Sequence, residues 1–321
     1  MKESTKGKEP FMRAVFTEPN NNPQLKIRET ALPHPLPNQA LIKVAAFSLN
    51  QGETRTALDA VESYIPGWDF AGVVEKAAID GSTPKEGARV FGFVARGSWA
   101  EYVAAPGGQM AEIPEGVSNA QAASLPVAGA TAVICLEAAG TLLGRRVLIT
   151  GAAGGVGRFV CQLAVMAGAR IFAISRRPDL LHWLQADGVE PAGIFTSIMD
   201  ARAAGQYDVI LDSVGGEVLA VALTALARSG VVINYGNSSR QPTRFDVRAA
   251  GWPLHGMRCI WMGREPTASN CTPILARLAE LVAAGKLRVP MDSAVPWTRV
   301  AEAAERLVEG KVDGKIILKV G

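Results

Sequence analysis

The stretch from Leu148 to Gly157 reads LITGAAGGVG, and its glycines suit one kind of chemistry. Backbone N–H groups gathered at the start of a helix, with no side chains in the way, bind a phosphate. The preceding "RVLIT" is strand-length and apolar, while "VGRFVCQLAVMAG" after it has the length and apolar spacing of a helix. Strand, glycine turn and helix in that order aim backbone donors and the positive helix end at a pyrophosphate. The strict GxGxxG pattern needs glycine where the chain has Ala152, so Gly154 and Gly157 match only its second and third glycines. Ala153, Gly154, Gly155, Val156 and Gly157 are the residues expected to cradle the phosphates. A tight turn that uses glycine only for its dihedrals is the plainer alternative; the surrounding strand–helix alternation favours phosphate.

A second signal follows about twenty residues on. The next strand, "RIFAI", ends in Ser175, Arg176 and Arg177. A site for NADH places a carboxylate there to bond the ribose 2′-hydroxyl. A hydroxyl and two guanidiniums instead attract and hydrogen-bond the 2′-phosphate of NADPH. Two surface arginines solvating a loop is the bland alternative. Asp179, after Pro178, reads as a helix start. The cofactor expected is therefore NADPH.

The elements that position these residues have two textures. From Met12 to about Ser124 the apolar runs are short and bounded by Gly, Pro, Asn and Asp, as in "ALIKVAAFSL", "AGVVEKAA" and "RVFGFVA". That pattern predicts an irregular β-rich domain. From Pro126 to about Met262, "RVLIT", "RIFAI", "DVILD" and "VVINYG" alternate with helical stretches, among them "PDLLHWLQADG" and "GGEVLAVALTALARSG". This predicts a parallel sheet covered on both faces. Two further helices, "CTPILARLAELVAAGK" and "WTRVAEAAERLVEG", precede a strand-like "DGKIILKV" that is expected to return to the first domain's sheet.

Composition narrows the function classes. The 321 residues exceed one ordinary core, and 33 basic against 30 acidic side chains leave a net charge of only +3. No basic run interleaved with aromatics occurs, so nucleic acid is not expected as a partner. "MKESTKGKEPF" has no apolar core of a secretory signal, and "LPVAGATAVICLEAAGTLLG" is broken by Pro126, Glu137 and glycines. Neither a membrane nor a secreted location is expected. Cys135, Cys161, Cys259 and Cys271 are scattered as reduced cytoplasmic thiols would be.

In order and spacing, "SLNQGE", "PGWDFAGVV", "GARVFGF", "GSWAEYV", "AASLPVAGATA", "VLITGAAGGVG", "DVILDSVGG" and "GKIILKV" resemble the medium-chain dehydrogenase/reductases, above all their zinc-free quinone oxidoreductase branch. The resemblance implies an α/β chain, with a Rossmann doubly wound parallel sheet beside a GroES-like β-rich catalytic domain and a cleft between them. The expected division is a flexible tail at 1–11, the GroES-like domain at 12–124 and 266–321, and the NADPH-binding domain at 125–265. The resemblance also implies a homodimer joined through the Rossmann sheet edge near "GMRCIWM". It puts Ser213, Val214, Tyr235 and Gly236 beside the adenine ribose and nicotinamide. Arg240 is a further candidate for a phosphate, with a plain surface role the simpler reading.

Zinc-dependent members of that family read G-H-E where this chain has Gly67, Trp68 and Asp69, and no cysteine stands between Ser48 and Gly52. Cys135 is displaced from the third ligand position, the four-cysteine lobe is absent, and His34, His182 and His255 are dispersed. No metal is expected. Without a Lewis acid, hydride transfer suits an acceptor that delocalises the new negative charge, a quinone or an enone. Asn50 is the candidate for bonding the acceptor oxygen or the cofactor amide, or else it shapes a strand end. Tyr64 is the candidate proton donor or cleft wall. Tyr102 and Asp69 are read as structural, Glu53 has no support beyond its type, and Phe47, Phe93, Trp68 and Trp252 are candidate pocket walls or core. NADPH-dependent quinone reduction leads; reduction of an enone or alkenal C=C bond and an NADPH-binding protein with little turnover are the alternatives.

Overall fold

The structure, a computed structural model, describes residues 11–21, 24–248, 254–262, 265 and 270–321. Residues 1–10 of the tail expected at 1–11, and Trp252, lie outside the described residues. Phe11 already belongs to a strand, paired with Ala31.

The chain divides into two units. The first runs through Pro126 and takes in Ser293–Lys311 and Ile316–Gly321; the second is Val127–Asp292 with Val312–Lys315. In the first, β1 (Phe11–Thr17) and β2 (Leu25–Ala31) form an antiparallel pair. A second sheet contains β3 (Gln39–Ser48), β4 (Asp69–Lys76), β5 (Arg89–Phe93), β6 (Tyr102–Pro106) and β7 (Met110–Glu112). Between β3 and β4 lies α1 (Gln51–Leu58), and α2 (Asn119–Ala123) follows β7. Ser118 caps α2 by accepting from the Gln121 N–H, while the Gln121 side chain accepts from the Ser118 N–H.

The second unit opens with α3 (Pro126–Ala139), which is apolar almost throughout and buried along most of its length. At 14 residues it is too short to span a bilayer, and among the described residues no helix is long and apolar enough to do so. Then come β8 (Arg146–Thr150), α4 (Gly155–Met166), β9 (Arg170–Ile174), α5 (Leu180–Ala186), β10 (Gly193–Phe195), α6 (Ile198–Ala203), β11 (Tyr207–Asp212), α7 (Gly216–Leu223), β12 (Leu226–Asn234), β13 (Leu254–Cys259) and α8 (Thr272–Ala283). The sheet order is β10-β9-β8-β11-β12-β13, and the pairings are parallel. β8 and β11 are neighbours although β9 and β10 separate them in sequence, so strand order reverses between them. Ligands of such sheets bind at that reversal, outside the carboxyl ends of the strands. Leu148, Phe172, Tyr207, Ile210, Leu219, Leu223 and Val232 build the core here.

The chain then contributes β14 (Met291–Pro296), α9 (Val300–Val308) and β15 (Lys315–Lys319). β15 pairs antiparallel with β3, Ile317 opposite Ser48, so the terminal strand does return to the first sheet. That sheet runs β14-β15-β3-β4-β5-β7, with β6 also on β3.

Two expectations need correction. "GGEVLAVALTALARSG" is not one helix: α7 stops at Leu223, and Leu226 opens β12, where it pairs with Tyr207 and is buried. Nor do residues 270–292 of the segment expected at 266–321 group with the β-rich domain. Leu278 of α8 packs against Gly129 of α3, and Gln162 of α4 exchanges two hydrogen bonds with the Arg288 backbone, at 2.8 and 3.0 Å. Those contacts fasten the segment to the second unit. Leu278→Ala is expected to cost about 2–5 kcal/mol by removing that buried contact, read from the urea midpoint of unfolding.

Candidate functional site

The glycine turn is built for close backbone approach. Gly151 has φ +64°, and a Cβ on it would lie 2.3 Å from Ser213 Oγ. A Cβ on Gly157 would lie 2.4 Å from the Gly151 carbonyl oxygen and 2.8 Å from Ala152 Cα. The first turn of α4 therefore rests directly on the loop that precedes it. The first bond in register with the helix runs from Arg158 N to Gly154 O at 3.0 Å, so the amides before it point out of the helix end. Ala153 to Val156 are open to solvent to varying degrees, whereas Ala152 and Gly157 are buried. Ala152 sits where the strict pattern has glycine, and its methyl packs inward.

The turns after β8, β11 and β12 are tied together by one carboxylate. Asp212, fully buried, accepts from Thr150 Oγ1 (2.6 Å), Val214 N (3.3 Å), Gly215 N (2.9 Å) and Asn234 Nδ2 (2.8 Å). Its carbonyl takes the Tyr235 N–H at 2.8 Å, and Ser213 N donates to Thr150 Oγ1 at 3.1 Å. Ser213, Val214, Tyr235 and Gly236 are thus brought beside the Gly151 turn; a Cβ on Gly236 would meet the Ser213 carbonyl at 3.0 Å. The Tyr235 hydroxyl is shielded from solvent, and burial, with Cys135 adding to it, holds its pKa well above 10. It is a neutral side chain at ordinary pH.

At the end of β9, Ser175 is buried and its Oγ accepts the Arg177 N–H at 3.0 Å, which leaves the hydroxyl hydrogen to donate elsewhere. Arg176 is exposed. Arg177 reaches Asp313, Nη1 to Oδ1 at 3.2 Å. These groups fit a 2′-phosphate, and the open first turn of α4 fits a pyrophosphate. Arg240 is exposed.

Sequence reasoning missed the segment Asp313-Gly314-Lys315. Gly314 bridges to Gly154, and its φ of +98° with a Cβ position 2.2 Å from the Pro290 carbonyl admits only glycine. The buried stem of Lys315 crosses Gly155, where a Cβ would stand 2.7 Å from its Cδ. "DGK" was visible as the start of a strand, but nothing in its composition tied it to a glycine turn some 160 residues earlier.

In the first unit a different cluster forms where β3 ends and β4 begins. Ser48 Oγ donates to Asp69 Oδ2 at 2.5 Å, and Asn50 Nδ2 donates to Asp69 Oδ2 and Glu53 Oε1, each at 2.8 Å. Glu53 Oε1 also takes the Asn50 N–H, closing a capping box on α1, and its Oε2 accepts the Trp68 N–H. Both carboxylates are buried. Asn50 is therefore a helix cap whose amide hydrogens face two carboxylates. Glu53, unsupported by its sequence context, is the hub; the Asn50-x-x-Glu53 spacing was the signal that could have found it.

Trp68 is partly exposed, and its indole lies over Gly52, where a Cβ would come within 2.9 Å of it. Tyr64 is half-buried, and burial together with the Glu53 charge pushes its pKa above the ordinary 10. Phe47 and Phe93 are buried, and Phe47 stacks on Trp99 at 5.9 Å, so both are core rather than pocket wall. Tyr102 packs beside Met12, Ala14 and Ala100. Cys135 and Cys161 are pushed up to about 12 and Cys271 to about 11 by burial, so all three remain thiols at neutral pH. His34, in the loop before β3, and His182, on α5, are exposed.

The chain is similar to known proteins along most of its length. Residues 36–115 match the profile of the alcohol dehydrogenase GroES-like domain, and 189–318 match that of a zinc-binding dehydrogenase. Tomato (Solanum lycopersicum) 2-methylene-furan-3-one reductase is 30% identical over 90% of this chain and 73% of its own length. The chain belongs to the medium-chain dehydrogenase/reductases. It is an NAD(P)H oxidoreductase of that family, as is the mouse (Mus musculus) mitochondrial NAD(P)H oxidoreductase RTN4IP1, 29% identical over 88% of this chain and 82% of its own. The solved quinone oxidoreductase of Coxiella burnetii superposes with a TM-score of 0.85 at 27% identity, covering 97% of this chain and all of that one. Gly157→Val is expected to drive α4 off the turn and raise the dissociation constant for NADPH about tenfold or more, measured by nucleotide fluorescence titration.

Proposed function

We propose that the protein is an NADPH-dependent, zinc-independent reductase that passes hydride to a quinone. The observation that carries this reading is the hydrogen-bonded set Ser48, Asn50, Glu53 and Asp69 beside Trp68. Two carboxylates are saturated there by a hydroxyl, a carboxamide and backbone N–H groups. An indole offers no lone pair to a metal, and the carboxylates beside it are already taken up by a hydroxyl, a carboxamide and backbone N–H groups, so this cluster does not suit zinc. The acceptor must then stabilise its own developing negative charge, as quinones and conjugated carbonyls do.

The chain's residues divide the remaining work. Bound NADPH supplies the hydride from its nicotinamide. Gly154 to Gly157 hold the pyrophosphate with Lys315 beside them, Ser175, Arg176 and Arg177 hold the 2′-phosphate, and Ser213, Val214, Tyr235 and Gly236 flank the ribose and nicotinamide. Asn50 and Glu53 keep α1 and Trp68 in place, so Asn50 acts as a positioning residue. Tyr64, kept neutral by burial and by Glu53, retains a proton to give to the reduced acceptor. The exposed β13 edge, with Met257 and Trp261 on its surface, is the face through which two copies would pair.

A second reading is reduction of an enone C=C bond, favoured by the 30% identity to 2-methylene-furan-3-one reductase. NADPH deuterated at the transferable C4 position separates the two. Consumption with a quinone, giving hydroquinone without carbon-bound deuterium, is the expected result. Deuterium retained at the β-carbon of an enone product, with no quinone turnover, would replace the leading reading by the second. Tyr64→Phe is expected to lower kcat about 100-fold while leaving NADPH affinity unchanged. Because the Tyr64 pKa is raised, its proton is present below pH 10 and is lost only above that, so wild-type rate should show no Tyr64-dependent fall through the neutral and mildly alkaline range.

A further inference from the structure

Arg177 stands at the end of β9 among the groups that suit a 2′-phosphate, yet its guanidinium is already beside an anion. The Arg177–Asp313 pair is 3.2 Å long, with both side chains about a third exposed at 34%. Asp313 Oδ1 is itself shielded from solvent and accepts no hydrogen bond among the described residues, so the contact is one of charge without good directional geometry. The Asp313 backbone cannot drift to improve it. Its N–H is held by Asp292 Oδ1 at 3.1 Å, Gly314 is locked against Pro290 and bridged to Gly154, and Lys315 N donates to the Pro290 carbonyl at 2.8 Å. A fixed carboxylate with an imperfect cation partner is a weak holder of that cation. A phosphate monoester, with close to two negative charges and three acceptor oxygens, offers the guanidinium a better fit.

We propose that Asp313 is a specificity-determining residue: it competes with the 2′-phosphate of NADPH for Arg177 and so sets the preference between NADPH and NADH. This rests on the reading of Ser175, Arg176 and Arg177 as the 2′-phosphate site. When the phosphate is bound, Arg177 turns to it, and the Asp313 carboxylate is left with less positive charge nearby while facing a new anion. That cost falls on NADPH and not on NADH, which leaves the Arg177–Asp313 pair intact. Asp313 therefore moderates the preference that Arg176 and Arg177 create.

The test is a binding titration of NADPH and of NADH, followed by nucleotide fluorescence, on the full chain and on Asp313→Asn, Arg177→Ala and the double variant. Asparagine keeps the shape and removes the charge. The expected result is NADPH binding about two- to fivefold tighter in Asp313→Asn, NADH binding unchanged, and no such gain when Arg177 is already alanine. Weaker NADPH binding in Asp313→Asn would overturn the proposal and make Asp313 a residue that orients Arg177. Equal tightening of both nucleotides, or a gain that persists without Arg177, would overturn it in favour of a general charge effect. A wild-type chain that binds NADH better than NADPH, with Arg177→Ala indifferent to both, would instead refute the 2′-phosphate site itself.

Discussion

Asp212 is the interaction on which the parallel-sheet unit depends. A parallel sheet offers its ligand only strand ends and the turns that follow them, and turns are the parts least held by the ladder. Here a single buried carboxylate gathers donors from the end of β8, the turn after β11 and the end of β12. A buried charge is costly unless its lone pairs are met, and these are met by neutral hydroxyl, amide and carboxamide groups rather than by a counter-ion. The donors stand at the starts of three turns that the proposed reading brings to the nucleotide, so fixing the carboxylate fixes all three together. Glycines at 151 and 236 let those loops close to contact distance.

The first unit solves a similar problem with two carboxylates. Antiparallel pairing of β3 with β4 sets Ala46 opposite Ala71, which carries Ser48 and Asp69 to the same end of the sheet. The chain then turns immediately into α1, and Asn50 must cap that helix while serving Asp69. Glu53 completes the cap from inside the first turn and reaches the Trp68 amide. A polar cluster of this kind is rigid because each member is another's partner. Rigidity, more than reactivity, is what Asn50 and Glu53 contribute, and it leaves Trp68 and Tyr64 as the side chains with a surface to offer.

Much of this was readable from residues alone, and the limits have physical causes. Near-continuous apolar runs such as "RVLIT" and "DVILD" announced a parallel sheet because both their faces are covered. The glycine turn announced itself by a strand before it and a helix after it. By contrast, "GGEVLAVALTALARSG" misled because Leu226 is equally at home on a helix face and in a buried strand, and only its pairing with Tyr207 decides. The boundary at 266 misled because α8 is amphipathic without specifying which domain it covers; Gly129 and Gln162, far back in sequence, choose it. Arg177 was legible as a cation at a strand end, but its ion pair with Asp313 depends on the 135 residues between them folding first. Local chemistry is written in the sequence, whereas partners distant along the chain are not.

The return of β15 to β3 bears on how the chain matures. Ser48 meets Ile317 as its sheet neighbour, so the Ala46–Ser48 end of β3, which has β4 on one side, gains its second neighbour only when β15 folds back to it, whereas β6 already covers Gln39–Lys43. The cofactor-binding unit, whose sheet strands run consecutively from Arg146 to Cys259, can assemble its ladder while translation is still under way. The order of emergence from the ribosome is then the reverse of the order of completion: the β-rich unit appears first and closes last. During that interval the Ala46–Ser48 end of β3 presents a short open edge, the kind of surface that chaperones cover.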